Sequence, residues 1–291
     1  MHIARRTFAL ALVATLTMAA ITASARGDER SKRRMSSHSQ RQLRVLALTD
    51  DQRLIRFKED HPELAQTIGT VGGLIGDSSL VGIDVRPLTS TLYGVGNAGG
   101  IYTLDTETAA ATKVSQLSVA LTGSSFGVDF NPAADRLRIV SDTGQNLRHD
   151  VNTPAGPTAV DTSLTYPPGA ATGIAGAAYT NNDADPTTAT TLFDLDSILD
   201  QVAVQSPANS GQLAPTGKLG HEVTSVIGFD IYSTIENGTT VALRAFASLE
   251  PAGGGAVTLY RVRLLIGTAD EIRTFRSSDR VIDIAIPVGQ T

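Results

Sequence analysis

One phrase returns along this chain at intervals that constrain the fold more than any other feature. Gly82-Ile83-Asp84-Val85-Arg86-Pro87 is followed by Gly127-Val128-Asp129-Phe130-Asn131-Pro132. A weaker copy, Gly176-Ala177-Ala178-Tyr179-Thr180-Asn181, comes next, and then Gly228-Phe229-Asp230-Ile231-Tyr232. The series ends on Ile282-Asp283-Ile284-Ala285-Ile286-Pro287, which lacks the Gly. Measured on the Asp column, with Ala178 in its third place, the intervals are 45, 49, 52 and 53 residues. A four-stranded propeller blade takes about 40–50 residues.

The segments between the phrases agree with blades. Thr91 to Val95, Gly100 to Leu104 and Ala111 to Ser115 are short and rich in strand formers. Turn residues separate them, as in Asn97-Ala98-Gly99-Gly100. Arg136 to Val140 and Asn146 to Val151 read as strands of the next unit, then Thr190 to Leu195 and Gln201 to Val204. Thr240 to Ser248 and Val257 to Arg263 flank a Gly-rich loop in the last. Helical periodicity is absent from residues 65–291.

The ends complete the pattern. Val45 to Leu48, Leu54 to Phe57 and Thr67 to Val71 make a unit without its first strand. Val281 to Ile286 is a first strand with nothing after it. An open ring leaves an unpaired edge and an unburied face. Pairing the C-terminal strand with the N-terminal three removes both. The expected fold is all-β, a β-propeller of five blades over residues 45–291. Because the count rests on the weak copy at Gly176, six blades or a twisted sandwich stay open.

The phrases around Gly82 and Gly127 also resemble a family. Gly-Ile-Asp-x-x-Pro followed by Leu92-Tyr93-Gly94 and Ile101-Tyr102-Thr103-Leu104-Asp105 is similar to the bacterial domain-of-unknown-function family numbered 4394. So are Asp135-Arg136-Leu137-Arg138-Ile139-Val140-Ser141 and Gln145-Asn146-Leu147-Arg148. The resemblance runs over roughly residues 45–287. It implies an exported, propeller-like domain and carries over no catalytic residue.

The N-terminus reads as an address. Arg5-Arg6, the apolar run Phe8 to Ile21 and Ala23-Ser24-Ala25 have the order of a secretory signal peptide, residues 1–25. Ordinary Sec export is the expected route, although Arg5-Arg6 also resembles a twin-arginine signal. A periplasmic or secreted protein follows, with no transmembrane segment in the mature form. Residues 26–44 carry seven Lys/Arg against two Asp/Glu and read as a basic, disordered tail suited to contact anionic envelope surfaces. The remaining body, with 15 Lys/Arg and 27 Asp/Glu, is acidic, so nucleic acid is not an expected partner. With no Cys, the chain has no disulfide, thiolate metal site or thiol nucleophile.

Two motifs resemble enzyme signatures and fail on context. Gly94-Val95-Gly96-Asn97-Ala98-Gly99 matches a dinucleotide fingerprint, but a strand follows where a helix must open. Gly123-Ser124-Ser125-Phe126-Gly127 matches a nucleophile elbow, again with a strand after it. His61, beside Pro62, reads as an exposed turn residue and His149 as a solvated strand residue.

Three groups remain as candidate sites. In a propeller the first strands line the channel, so Asp84, Asp129, Asp230 and Asp283 form a ring at one depth. Such carboxylates repel, share protons, or bind Ca2+ or another divalent cation. In the bland reading each accepts hydrogen bonds from the neighbouring blade, because repeated positions serve the repeat. Asn181, Asp183 and Asp185 place oxygen donors at alternate positions of a loop, a second candidate cation site without the Gly and Glu of an EF-hand. Arg136, Arg138 and Arg148 are candidate binding residues for an anion.

The first functional expectation is a non-enzymatic binding or interaction module of the envelope or exterior, with an unknown protein or small-molecule ligand. The rival is a metal-dependent propeller hydrolase, lyase or lactonase with a channel cation on the repeated Asp residues. A third reading is a structural module of a surface assembly.

Overall fold

A computed structural model describes residues 42–152 and 156–290. Residues 1–25, read from the sequence as a signal peptide, and all but the end of the basic tail lie outside the described residues. Among these residues no helix is long and apolar enough to cross a membrane.

The chain lays down β1 (Arg44–Thr49), β2 (Arg53–Lys58) and β3 (His61–Thr70), then β4 (Leu80–Arg86), β5 (Thr91–Gly96), β6 (Gly100–Leu104) and β7 (Ala111–Gln116). There follow β8 (Phe126–Asn131), β9 (Arg136–Ser141), β10 (Asn146–His149), β11 (Thr158–Val160) and a small hairpin, β12 (Thr165–Tyr166) and β13 (Gly169–Ala170). β14 (Ile174–Tyr179), β15 (Leu192–Asp196), β16 (Gln201–Gln205) and β17 (Leu213–Lys218) come next. β18 (Val223–Glu236), β19 (Thr239–Pro251), β20 (Thr258–Val262), β21 (Ala269–Thr274) and β22 (Val281–Ala285) complete the order.

These strands form five four-stranded antiparallel blades. β4–β7, β8–β11, β14–β17 and β18–β21 are each contiguous, and each first strand is innermost. The remaining blade has the order β22-β1-β2-β3. Its register pairs Leu46 with Ala285 and Leu48 with Asp283, so the two ends of the fold close the ring. The fold is the expected five-bladed propeller.

The outer strands β11, β17 and β21 had no clear signature. Their burial is patchy, as in the exposed and half-buried run of Ala269–Thr274, because one edge faces solvent. The turns follow their residue types. Asn237-Gly238 joins β18 to β19 with both φ angles positive, 52° and 70°, the type I′ geometry that Asn-Gly favours.

Among the described residues the apolar side chains form no central core. Five apolar clusters lie between neighbouring blades instead. Val45, Phe57, Phe246 and Ile284 belong to one, in which Phe57 meets Phe275 edge-on at 5.1 Å. Inner strands are covered on both faces, so β14 is buried along its whole length and shows no apolar alternation.

Candidate functional site

The inner strands approach each other closely, and the repeated Gly permits it. A Cβ on Gly127 would lie 2.5 Å from the Ala177 nitrogen. One on Gly82 would lie 2.5 Å from Val128 Cγ2, and one on Gly228 2.7 Å from Asp283 Cα. The Gly of one blade thus faces the first strand of the next.

Two positions on, the Asp side chains cross the same gap. Asp84 Oδ2 accepts the Phe130 N–H at 2.7 Å, and Asp129 Oδ1 accepts that of Tyr179 at 3.1 Å. Asp230 Oδ2 accepts Ile286 N–H at 2.5 Å, and Asp283 Oδ2 accepts Ile83 N–H at 2.7 Å. Asp84, Asp230 and Asp283 also accept the N–H of the residue that follows them. Each carboxyl therefore latches its blade to the next. Ala178 breaks the series. Ser233 Oγ accepts the Asn181 N–H at 2.7 Å there, and Asn182 Oδ1 accepts the Ser233 N–H at 2.5 Å.

The latches also concentrate acid. Asp84, Asp129 and Asp230 each offer an oxygen within 4.8 Å of the others, all three buried. Asp283 belongs to the ring but lies outside that tight triad. Burial pushes all four carboxyls up. The charge of Asp230 adds to this at Asp84, and those of Asp84 and Asp230 add at Asp129. Asp230 is pushed up to about 7, against the hydrogen bonds from Ile286 and Ile231. Like charges this close in a dry channel require protons or a cation.

The loop candidate folds onto itself. Asn181 Nδ2 donates to Asp183 Oδ1 at 3.0 Å, and Asp183 Oδ1 also accepts the Asp185 N–H at 3.2 Å. Asp185 Oδ1 accepts from Thr187 at 2.8 Å. These contacts are a succession of side-chain turns.

The three arginines do not assemble into an open anion site. Arg138 is buried, 1% exposed, between β9 and the following blade. It donates to Tyr179 Oη, Asn146 Oδ1, Asp161 Oδ2 and Asn209 Oδ1. Arg148 grips both oxygens of Asp161 at 2.6 and 2.9 Å, and Arg136 pairs with Asp150 at 3.0 Å. Burial alone would raise the Asp161 carboxyl, but the two arginines hold it below the ordinary range.

Both histidine readings change. His149 is fully buried, with Nε2 at 2.7 Å from Ser115 Oγ and Nδ1 at 3.0 Å from Thr158 Oγ1. The partners come from β7 and β11, too distant in sequence to be foreseen. Burial lowers its pKa. His61 opens β3 and meets Glu63 at 3.0 Å.

One surface feature had no sequence signal. β1, β2 and β3 set Arg44 opposite Lys58 and Lys58 opposite His61. With Arg56, Phe57, Leu64 and Gln66 they line a cleft of about 340 Å³.

The ring of five blades defines the class, a small β-propeller whose inner strands carry repeated Gly and Asp. The chain belongs to the family described as a domain of unknown function, DUF4394, whose model matches residues 53–285. No curated protein matches. Among solved structures, a protein of unknown function from Bacteroides thetaiotaomicron is similar at 11% identity with a TM-score of 0.43, covering 60% of this chain and 45% of that one. A Lactobacillus plantarum protein is similar at 12% identity and TM-score 0.41, covering 84% and 99%. An auxiliary nutrient binding protein from B. thetaiotaomicron is similar at 14% identity and TM-score 0.36, covering 82% and 53%. The chain thus spans about half of the first and third of these. Likeness at this level carries no functional argument.

Proposed function

We propose that this protein is an exported, non-enzymatic binding module, and that its ligand is a small anion with an apolar part. The observation that carries the reading is the Arg44–Lys58 pair, set side by side on β1 and β2 with His61 next to it on β3. Like charges directly opposite on a sheet are destabilising. A fold with 27 acidic residues in its body nevertheless keeps this pair beside the exposed Leu64. The cleft volume suits a small ligand. Arg44 and Lys58 would hold a carboxylate or phosphate, and Leu64 would cover the apolar part.

Phenyl phosphate titrated into the protein by calorimetry tests this. Saturable binding that weakens with salt, and is lost in Lys58→Glu, is expected. No binding up to about 1 mM, or binding indifferent to Lys58→Glu, would overturn it. Export is tested by fractionation, with a mature N-terminus at Arg26 expected.

The convergence of Asp84, Asp129 and Asp230 favours a second reading, a metal-dependent hydrolase, lyase or lactonase with a channel cation. It ranks lower because all four ring carboxyls already accept backbone N–H groups. Cation-dependent turnover abolished by Asp129→Asn would promote it.

A further inference from the structure

The face between the β8–β11 blade and the β14–β17 blade gathers several buried charged residues. Arg138, Asp161, Asp194 and Asp196 all meet there, with Arg148 at the margin. Each acid but one is accounted for. Asp161 binds both arginines, and Asp196 Oδ1 accepts the Ile198 and Leu199 N–H groups at 2.9 Å. Asp194, in the middle of β15, is 0% exposed, and neither of its carboxylate oxygens has a hydrogen-bond partner. Arg138 is near enough to act on its charge but donates to Tyr179, Asn146, Asp161 and Asn209 instead.

The strand register shows what surrounds this carboxylate. Asp194 is flanked directly by Ala177 on β14 and Ala203 on β16. Both are too small to cover it. Gln205 stands one diagonal step away on β16, within reach of a long side chain. Its Nε2 is committed to the Ala208 carbonyl, which leaves Oε1 buried without a partner. Tyr166, from the β12–β13 hairpin, closes the region beside Asp196 and Gln201. Asp161, Asp194 and Asp196 share this layer with Arg138 and Arg148, and of these five only Asp194 has no hydrogen-bond partner.

We propose that Asp194, with Gln205 Oε1, holds a hard divalent cation of the Ca2+ class between these two blades. The donors are all oxygens, which suits Ca2+ and disfavours softer ions. A buried charge without a partner is costly, and a cation at Asp194 would remove that cost. Burial drives the Asp194 carboxyl strongly upward when no cation is bound, so the competitor for the place is a proton. This site is distinct from both the channel ring and the cationic cleft.

The test is metal content and calcium titration on the full chain. The wild type is expected to retain about one Ca2+ after desalting. It should lose thermal stability in chelator and recover it with added Ca2+. Asp194→Asn should hold no ion and ignore chelator, while Asp129→Asn keeps the ion. If Asp194→Asn does not fold, Gln205→Leu decides, with about tenfold weaker Ca2+ binding expected. A wild type that binds no Ca2+ and is indifferent to it overturns the proposal and leaves Asp194 a neutral acid. Loss of the ion in Asp129→Asn with retention in Asp194→Asn overturns it in favour of the ring. Unchanged calcium affinity in Gln205→Leu overturns the role of Gln205.

Discussion

Asp84 accepts the backbone N–H of Phe130, 46 positions along the chain, at 2.7 Å, and with it joins the inner strand of one blade to that of the next. Its other oxygen takes the N–H of Val85 at 2.6 Å. Asp84→Ala would leave both donors buried and unpaired, at about 1–3 kcal/mol each. A fall of several degrees in melting temperature is expected by calorimetry, with no recovery on adding divalent cations. A variant as stable as the wild type would remove the latch role.

Gly127 is the second test of how the inner strands meet. A Cβ there would press on the backbone of Gly176 and Ala177, which cannot rotate away. Gly127→Ala should cost about 1–3 kcal/mol in denaturant unfolding. Gly253→Ala, where a Cβ meets nothing within 4 Å, serves as the control and should be near neutral.

Asp230 makes stability depend on pH. An unfolded carboxyl titrates near 3.8, and the folded one is raised to about 7. The folded chain therefore keeps a proton that the unfolded chain has lost. The resulting stabilisation is complete below pH 3.8 and is lost as pH rises towards about 7. Carboxyls held low by arginines, such as Asp161, act in the opposite direction. The informative quantity is thus the difference between wild type and Asp230→Asn, in which these cancel. That difference should shift against the wild type as pH rises through this window. A constant difference would show that Asp230 does not retain the proton.

Arg138 should matter more to stability than either arginine beside it in the sequence pattern. Arg138→Leu would leave the acceptors on buried Asn146 and on Asn209 without their donor and Asp161 with Arg148 alone, at about 1–3 kcal/mol for each buried acceptor left unpaired. Arg148→Ala leaves Asp161 still paired with Arg138 and should cost clearly less. Arg136→Ala breaks a pair on a more open surface and should cost about 1 kcal/mol or less. Chemical denaturation of the three variants orders them. An equal loss in all three would contradict the placement.

The architecture was legible because a propeller repeats one unit. The Gly-x-Asp phrase or a partial copy of it marks each inner strand, and the C-terminal phrase without following strands announced the closure that β22 makes with β1. The Asp column was also legible as a ring, since equivalent positions in a closed repeat lie at one depth. Its hydrogen-bond role could only be offered as one of two readings. Whether a carboxyl reaches the next blade's N–H depends on how closely the blades approach. Arg138 reads from the sequence as an anion-binding candidate and His149 as a solvated residue, because alternation along a strand identifies a face but not what covers it. In a propeller both faces of an inner or middle strand are covered.

Local pattern alone thus determined the all-β class, the turns, the repeating unit and the residues of the ring, while the count of five was settled by the structure. The tertiary structure alone decided which polar groups meet. Leu192-Phe193-Asp194-Leu195-Asp196 does carry a signal, two acids in an apolar strand. Nothing in it says that Asp196 is satisfied by its own turn while Asp194 faces two alanines. The row Arg44–Lys58–His61 is similarly invisible along the chain, because it is made by register across β1, β2 and β3. Strand periodicity is a property of neighbours in sequence. Charge compensation is a property of neighbours in space, and only closing the ring brings those together.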